Sequence, residues 1–497
     1  MIKKNLIVYI FITILIFPNI VFAQNTIDTT YNYNWWGNAI ENIPFFELYD
    51  TIDIDNMDGI KISGMDDVNV KDGRIYIVDS TESRINVFNS KDFKLITSLK
   101  NIRNKEGKIA TDEKTGQQIL LKNPEGIFVH SQNEEIYIAD TGNERIVVID
   151  EKDFSFKRTI TKPSNMVGQT NFKPSKIVVD KLNRIYVVVQ SGFEGIIELT
   201  SDGDFKRYFG VNKPKVNLID YFWRQYASEE QKAKMTKILA PSFNNIDIDS
   251  EGFIYATTFD ASATDKVFRL NPKGENILRE EGYFPVIGDL DLEDIKNSIK
   301  PPESQFVDIA LTDYGTYALL DKNNGRIFIY NFDGELLNIF GQKGFMKGEF
   351  SEPTSIAWLD DNLIITDKQM KCSYIFKPTT IGKLMLQSSQ AYYNGEWDKS
   401  TELLKEAVKL NSNLEIAYNS IGKSYLMEDD YETAMYYFNL SKNKIYYSKA
   451  FNGYRSIWIQ DNFNWIFILM ILGVAGVIYS EIRYYKKKKK IGGEDDE

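Results

Sequence analysis

The stretch Ile136–Asp150, IYIADTGNERIVVID, reads as two short strands around a tight turn: runs rich in Ile, Val and Tyr on either side of Thr141-Gly142-Asn143. Strand formers flanking a Gly/Asn break are the pattern of a β-hairpin. A hairpin alone leaves its apolar side chains uncovered and is marginal at best in water. What covers them decides the fold.

The same unit returns along the chain. It starts at Met65 (MDDVNVKDGRIYIVDSTESRINVFN), Asn123, Lys173, Ala240, Gln305 and Glu352 (EPTSIAWLDDNLIITDKQMKCSYIFKP), six copies in all. Each copy alternates apolar and polar residues over a few positions, turns at Gly, Asn or Asp, and repeats the alternation. A unit of three or four strands buries one sheet face and leaves the other open. Packed radially, neighbouring units cover each other, and closing the ring removes the exposed edges. The expectation is a mainly β chain with a six-bladed β-propeller over residues 45–378. The segment Pro44–Ile54, PFFELYDTIDI, precedes the first copy and is expected to lend a strand to the last blade.

The pattern Pro-x-x-Ile, then Ile-Tyr-x-x-Asp, then Arg-Ile-x-Val resembles the NHL repeat family. The second copy follows it closely, whereas Val189 and Thr258 stand in copies three and four where copy two has Asp140. The resemblance implies the propeller fold but no single function, because propellers of this kind serve as enzymes and as binding platforms.

From Ile381 the apolar period changes from two to about 3.6. In AYNSIGKSYLMEDDYETAMYYFNLSKNK, the residues Tyr418, Ile421, Gly422, Tyr425, Ala434 and Phe438 fall at the offsets of a tetratricopeptide repeat. The same frame, shifted back, meets Leu384, Ser388, Ala391, Ser400, Leu404 and Ala407. Residues 381–449 thus resemble that family. Small residues at Gly422 and Ala434 let two helices cross closely. The exposed-face candidates for binding a partner are Tyr418, Tyr425 and Tyr436; a plain helical spacer is the other reading of the segment.

The two ends carry apolar runs. Lys3 and Lys4, the run Leu6–Phe17 and Val21-Phe22-Ala23 form the three parts of a secretory leader, residues 1–23, cut before Gln24. Residues 24–44 make a short N-terminal segment, in which YNYNWWGNAIENIPFF is expected to pack along the ring. Phe463–Ser480 holds no charge, is followed by Arg483 and Lys486–Lys490, and reads as a single transmembrane helix over 463–482. The expected topology is a cell-membrane protein crossing once, its bulk extracytoplasmic and its tail, 483–497, cytoplasmic. Asn217–Ala240 and a stretch near Asp291 are expected to be helical insertions in the ring.

The chain of 497 residues carries a net charge of −11, and the part between leader and anchor is more acidic still. That balance excludes nucleic acid and anionic lipid as electrostatic partners. The single Cys372 excludes an internal disulfide. His130 is the only histidine, so a His-ligated zinc and a His-dependent lactonase are both excluded; it is expected in a solvent-facing turn.

One enzyme class needs no histidine. Propellers resembling the gluconolactonase family hold a divalent ion at the axis with Glu, Asn and Asp oxygens. Here the residues two before the first apolar of each inner strand are Asp66, Glu125, Ser175, Asn244, Val307 and Thr354, with Asp67 and Asp308 adjacent. That resemblance implies a Ca-type site at Asp66, Glu125, Asn244 and Asp308. Acidic and amide residues are also ordinary at strand starts. The reading that leads is therefore a non-enzymatic platform without a cofactor. It would bind a carbohydrate or other small molecule, or an envelope protein, as an accessory part of a transport or envelope complex. A Ca-dependent lactone or sugar-acid hydrolase is the alternative, and a structural stalk a third.

Overall fold

A computed structural model of the chain describes residues 30–53, 59–113, 116–166, 171–192, 195–210, 242–259, 265–290 and 302–491. The leader, the insertion at 217–240, most of the second insertion near Asp291 and the end of the tail lie outside these residues. The described chain divides into two compact units, residues 1–394 and 395–497.

The first unit is a six-bladed propeller followed by one helix. Its innermost strands are Asp67–Lys71, Gly126–His130, Pro174–Val179, Phe243–Ile248, Phe306–Leu311 and Pro353–Leu359. Each lies against the next and the sixth against the first, so the ring is closed. Strands near the axis are sandwiched between blades and read as unbroken apolar runs: Glu135–Asp140 and Ile185–Val189 are buried at every position. Outer strands such as Phe156–Ile160 keep a wet face. The apolar cores accordingly lie between blades. One joins Tyr76, Val78 and Val87 to Ile127, Ile136 and Val147; the next joins Tyr137 and Val148 to Ile177 and Val187. Adjacent blades thus provide the cover that a lone hairpin lacks.

A buried aspartate ends the second strand in four blades: Asp79, Asp140, Asp321 and Asp367. Each accepts backbone N–H groups from the chain entering its own blade. Lys122 N–H donates to Asp140 Oδ1 (2.7 Å), Gln305 N–H to Asp321 (2.9 Å) and Ser351 N–H to Asp367 (2.7 Å). In the fourth blade Thr258 stands at that position and donates instead to the Ser242 carbonyl (2.9 Å).

The N-terminal region joins the ring twice. Phe46–Ile52 pairs antiparallel with Cys372–Pro378 as the outermost strand of the sixth blade, the expected latch. Thr30–Tyr33 pairs with Leu336–Phe340 and extends the fifth blade, followed by Ala39–Glu41. Tyr31 and Tyr33 are buried there, so the aromatic segment does pack along the ring. Helix α1 (Thr380–Tyr393) starts on the latch: Thr379 accepts from Gly382 N–H and donates to the Pro44 carbonyl, and a Cβ at Gly382 would sit 2.0 Å from the Phe45 carbonyl oxygen.

The second unit holds α2 (Trp397–Leu410), α3 (Glu415–Met427), α4 (Tyr431–Leu440), α5 (Lys444–Asp461) and α6 (Phe463–Ile491). Gly422 of α3 meets Phe438 of α4; a Cβ there would fall 2.7 Å from the ring, so the close crossing depends on the missing side chain. Residues Phe463–Lys487 of α6 are long and apolar enough to cross a membrane, with none of that surface buried.

Candidate functional site

Six inner strands converge on the axis, so the residues that begin them meet there. The side chains that do so stand one position later than the alternation implies: Asp67, Gly126, Lys176, Asn245, Asp308 and Ser355. In four blades the pairing slips by one residue between Pro174 and Lys176, Phe243 and Asn245, Phe306 and Asp308, and Pro353 and Ser355. A bulge at the intervening residue re-aims the next side chain at the axis.

These residues form one buried network. Lys176 Nζ is ion-paired to Asp67 Oδ1. It arrives from two blades away, and Gly126 stands between them; a Cβ there would sit 2.2 Å from the Ser175 carbonyl oxygen. Asp67 Oδ2 accepts from Ile127 N–H (2.9 Å), and Asp308 Oδ1 from Ile309 N–H (2.8 Å) and from Asn245 Nδ2. Ile356 N–H donates to Asp308 Oδ2 (2.7 Å), and Val68 N–H to Ser355 Oγ (3.1 Å). Ser355 Oγ also touches both carboxylates, Asp67 Oδ1 (3.0 Å) and Asp308 Oδ2. A serine owns one hydroxyl proton and can donate to only one of them at a time. Burial raises the pKa of Asp308 to about 6, with the pull of Lys176 opposing the rise and the nearby Asp67 charge adding to it. Burial works against the Lys176 charge too, but Asp67 and Asp308 outweigh it and hold that pKa above its usual value. Among the described residues Lys176 is thus the one cation beside two carboxyl groups that share a single hydroxyl donor.

This network is the floor of a cavity of about 370 Å3 that follows the inner strands to the hairpin turns at their far ends. Above the floor, the walls are Phe128, Val178, Ala310 and Ala357 with two polar residues, Asn69 and Asp247; Lys71, His130, Asp180 and Asp249 stand near the rim. Two of the three rim aspartates have cations: Asp180 pairs with Arg184 (2.6 Å) and Asp249 with Arg269 (2.9 Å), while Asp313 forms no ion pair among the described residues. Among the described residues Asp247 has no such cation. Its carboxylate is met by backbone N–H groups, that of Ile248 (2.8 Å) and that of Leu311, and burial outweighs them. Its pKa is pushed up to about 7, with the Asp308 charge contributing.

His130 is not a solvent-facing turn residue. It ends its inner strand with 7% exposure, lines this cavity, and its Nδ1 has no hydrogen-bond partner among the described residues. Burial lowers its pKa, which keeps the imidazole neutral at neutral pH.

The residues proposed from sequence as metal ligands each have other partners. Asp66 is ion-paired with Lys368 and accepts from Ser80 N–H (2.9 Å). Glu125 accepts from Gln190 Nε2 (2.6 Å), and Asn244 Nδ2 donates to the Phe306 carbonyl (3.0 Å). Of the four, Asp308 alone lines the cavity, as part of its floor. Among the described residues no group of three or more His, Cys, Asp or Glu side chains is arranged to hold a metal ion. Sequence reading passed over Lys176, Asn245, Ser355 and Asp247, and the signal for them was the bulge, which leaves no mark in a count of alternating residues.

In the second unit, Tyr418 and Tyr425 lie on either side of Tyr437, with ring centroids 6.5 and 5.7 Å from it in near-parallel stacks. Lys405 Nζ donates to Tyr425 Oη (3.0 Å). Tyr436 stands edge-on to Tyr437 and is 61% exposed. The middle ring of the row, Tyr437, is the neighbour of the residue that the repeat frame singled out.

No protein-family model matches the sequence, and no curated protein matches it. Among solved structures the chain is similar to a virginiamycin B lyase from Staphylococcus aureus, at 14% identity and a TM-score of 0.40 over 67% of this chain and 99% of the other. It is also similar to Kuenenia stuttgartiensis hydrazine synthase (10% identity, TM-score 0.39, 64% and 96% covered). A third is an auxiliary nutrient binding protein from Bacteroides thetaiotaomicron (9% identity, TM-score 0.39, 64% and 69% covered). Scores this low carry no argument about activity or ligand.

Proposed function

We propose that this chain is a membrane-anchored binding platform. Its propeller, outside the cytoplasm, captures a small polar ligand in the axial cup, and its helical region docks a membrane or envelope partner through the row Tyr418–Tyr437–Tyr425 and the exposed Tyr436. The observation that carries the reading is the contrast along the axis: a floor with its own ion pair, beneath walls where Asp247 has no cation and Asn69 no side-chain hydrogen bond among the described residues, and a rim where His130 Nδ1 has no partner among them. Buried polar groups are normally paired, and those left open in a concave site are what a ligand completes. The apolar α6 and the basic residues after it support the anchor, and the leader-like N-terminus supports export.

The test is a thermal-shift screen of the full-length protein in detergent against small polar metabolites, alongside Ala357→Phe, which fills the cup. Ligands that stabilise the native state raise its melting temperature. Stabilising compounds that lose their effect in the filled variant are the expected result. An absence of stabilising compounds, or compounds that act equally on the filled variant, overturns the cup as the site. Crosslinking in intact cells tests the docking role: a partner retained after Tyr418, Tyr425 and Tyr437 are all replaced by Ala removes it.

A further inference from the structure

Resting on that reading of the cup, we propose that its ligand is a small molecule bearing an ammonium group, with Asp247 as the counter-ion and Asn69 and His130 as hydrogen-bonding partners. Three observations converge. The first is charge inventory: the floor holds its own cation in Lys176, Asp180 and Asp249 are matched by Arg184 and Arg269, and Asp247 is the carboxyl within the walls that has no cation among the described residues. An enclosed carboxylate lacking a counter-charge is costly to ionise, and a cation delivered by a ligand removes that cost.

The second is His130, independent of the acidic residues. Its side chain is over nine-tenths buried against the cavity, and among the described residues Nδ1 is unpartnered and shielded from solvent, so a neutral imidazole there offers an acceptor to a donor-rich ligand that the ring turns to meet. The third is Asn69, half-buried in the wall, which makes no side-chain hydrogen bond among the described residues and faces the same space. Asp247 and His130 come from the fourth and second blades and from different depths. A ligand that meets both must place a donor at each of two levels, as an amino sugar or a short diamine does. Lys71 and Lys181 stand at the rim, where water screens their charge from a ligand bound at Asp247.

The experiment uses the full-length protein in nanodiscs and four probes in two pairs: glucosamine with glucose, and putrescine with butanediol. Melting temperature and calorimetric binding are measured for the wild type, Asp247→Asn, Asn69→Ala and Ala357→Phe. The expected result is that at least one amine stabilises and binds while its neutral counterpart does not. Asp247→Asn should then weaken that amine by at least about tenfold, since removing one partner of a desolvated charge pair costs more than the ~1.4 kcal/mol that tenfold represents. Asn69→Ala should weaken it less, and Ala357→Phe should abolish it. Neutral probes binding as well as amines, or Asp247→Asn binding the amine as tightly as the wild type, overturns the ammonium assignment and leaves the cup as a site. No response to any of the four overturns the ammonium assignment, and the screen above then decides on the cup itself.

Discussion

Lys176 is the cation on which the axis depends. It neutralises Asp67 and lowers the cost of Asp308 within a largely buried floor, and a buried pair that loses one partner costs about 3–5 kcal/mol because the other charge stays behind. Lys176→Met should therefore lower the unfolding free energy by roughly that amount at neutral pH, read by urea denaturation. Adding Asp67→Asn should restore much of it; a double variant as unstable as the single would mean that Lys176 acts by packing alone. Asp247 sets a second expectation, in pH. Its folded pKa, about 7, lies above the ordinary aspartate value of 3.8, so between these values the folded state keeps a proton that the unfolded chain releases. Stability then falls as pH rises through that window. Asp308 and Asp249 face the group, and Asp308, also raised, acts in the same direction. His130, lowered from 6.5, acts oppositely, most strongly below pH 6.5 and fading within about a unit above it. Between pH 6.5 and about 8 the melting temperature should thus decline, and Asp247→Asn should flatten the decline. An unchanged slope in that variant would assign the titration elsewhere.

At the scale of strands and helices, the legible features are those set by local pattern. The blade count follows from recurrence of a hairpin whose turn residues and alternation are written in consecutive positions. The latch is readable because Phe46–Ile52 alternates but lacks a hairpin partner in its own stretch. The crossing at Gly422 is readable because only a small residue fits beneath Phe438. The axial network is not readable in that way. Whether residue two or residue three of an inner strand faces the axis turns on a bulge, and the bulge depends on how the next strand pairs. His130 is hidden for a related reason: its strand runs to the end of the cup, and the turn begins only at Ser131. The same offset bears on the calcium reading. A cation bound by Asp66 and Glu125 has to displace Lys368 and Gln190 from them. Calcium should consequently leave the melting temperature unchanged, and chelation should do the same. A calcium-dependent rise lost in Glu125→Ala would return the hydrolase reading to the front.

For the propeller as a whole, closure is the property on which the cup depends, and closure rests on a seam. Four blades are built from consecutive chain and the fifth adds N-terminal strands outside its own four, whereas the sixth takes its fourth strand from the N-terminal region, more than three hundred positions away in sequence. Bringing such distant segments together has an entropic cost that only the completed pairing repays. The seam is therefore the place where the ring is expected to open first. Cys372 reports on it directly. The thiol is buried in the strand that pairs with the latch, and burial pushes its pKa up to about 11, so it reacts slowly on both counts. Ile52 pairs with Ser373 next to it and is fully buried. Replacing it by Asp puts an unpaired charge beneath the latch without touching the axis. Thiol labelling of Ile52→Asp should then accelerate at denaturant concentrations where tryptophan fluorescence still reports an intact ring. In the wild type, labelling and global unfolding should lie closer together. If the variant labels only when fluorescence changes, the ring opens all at once and the latch is no weaker than any other blade contact.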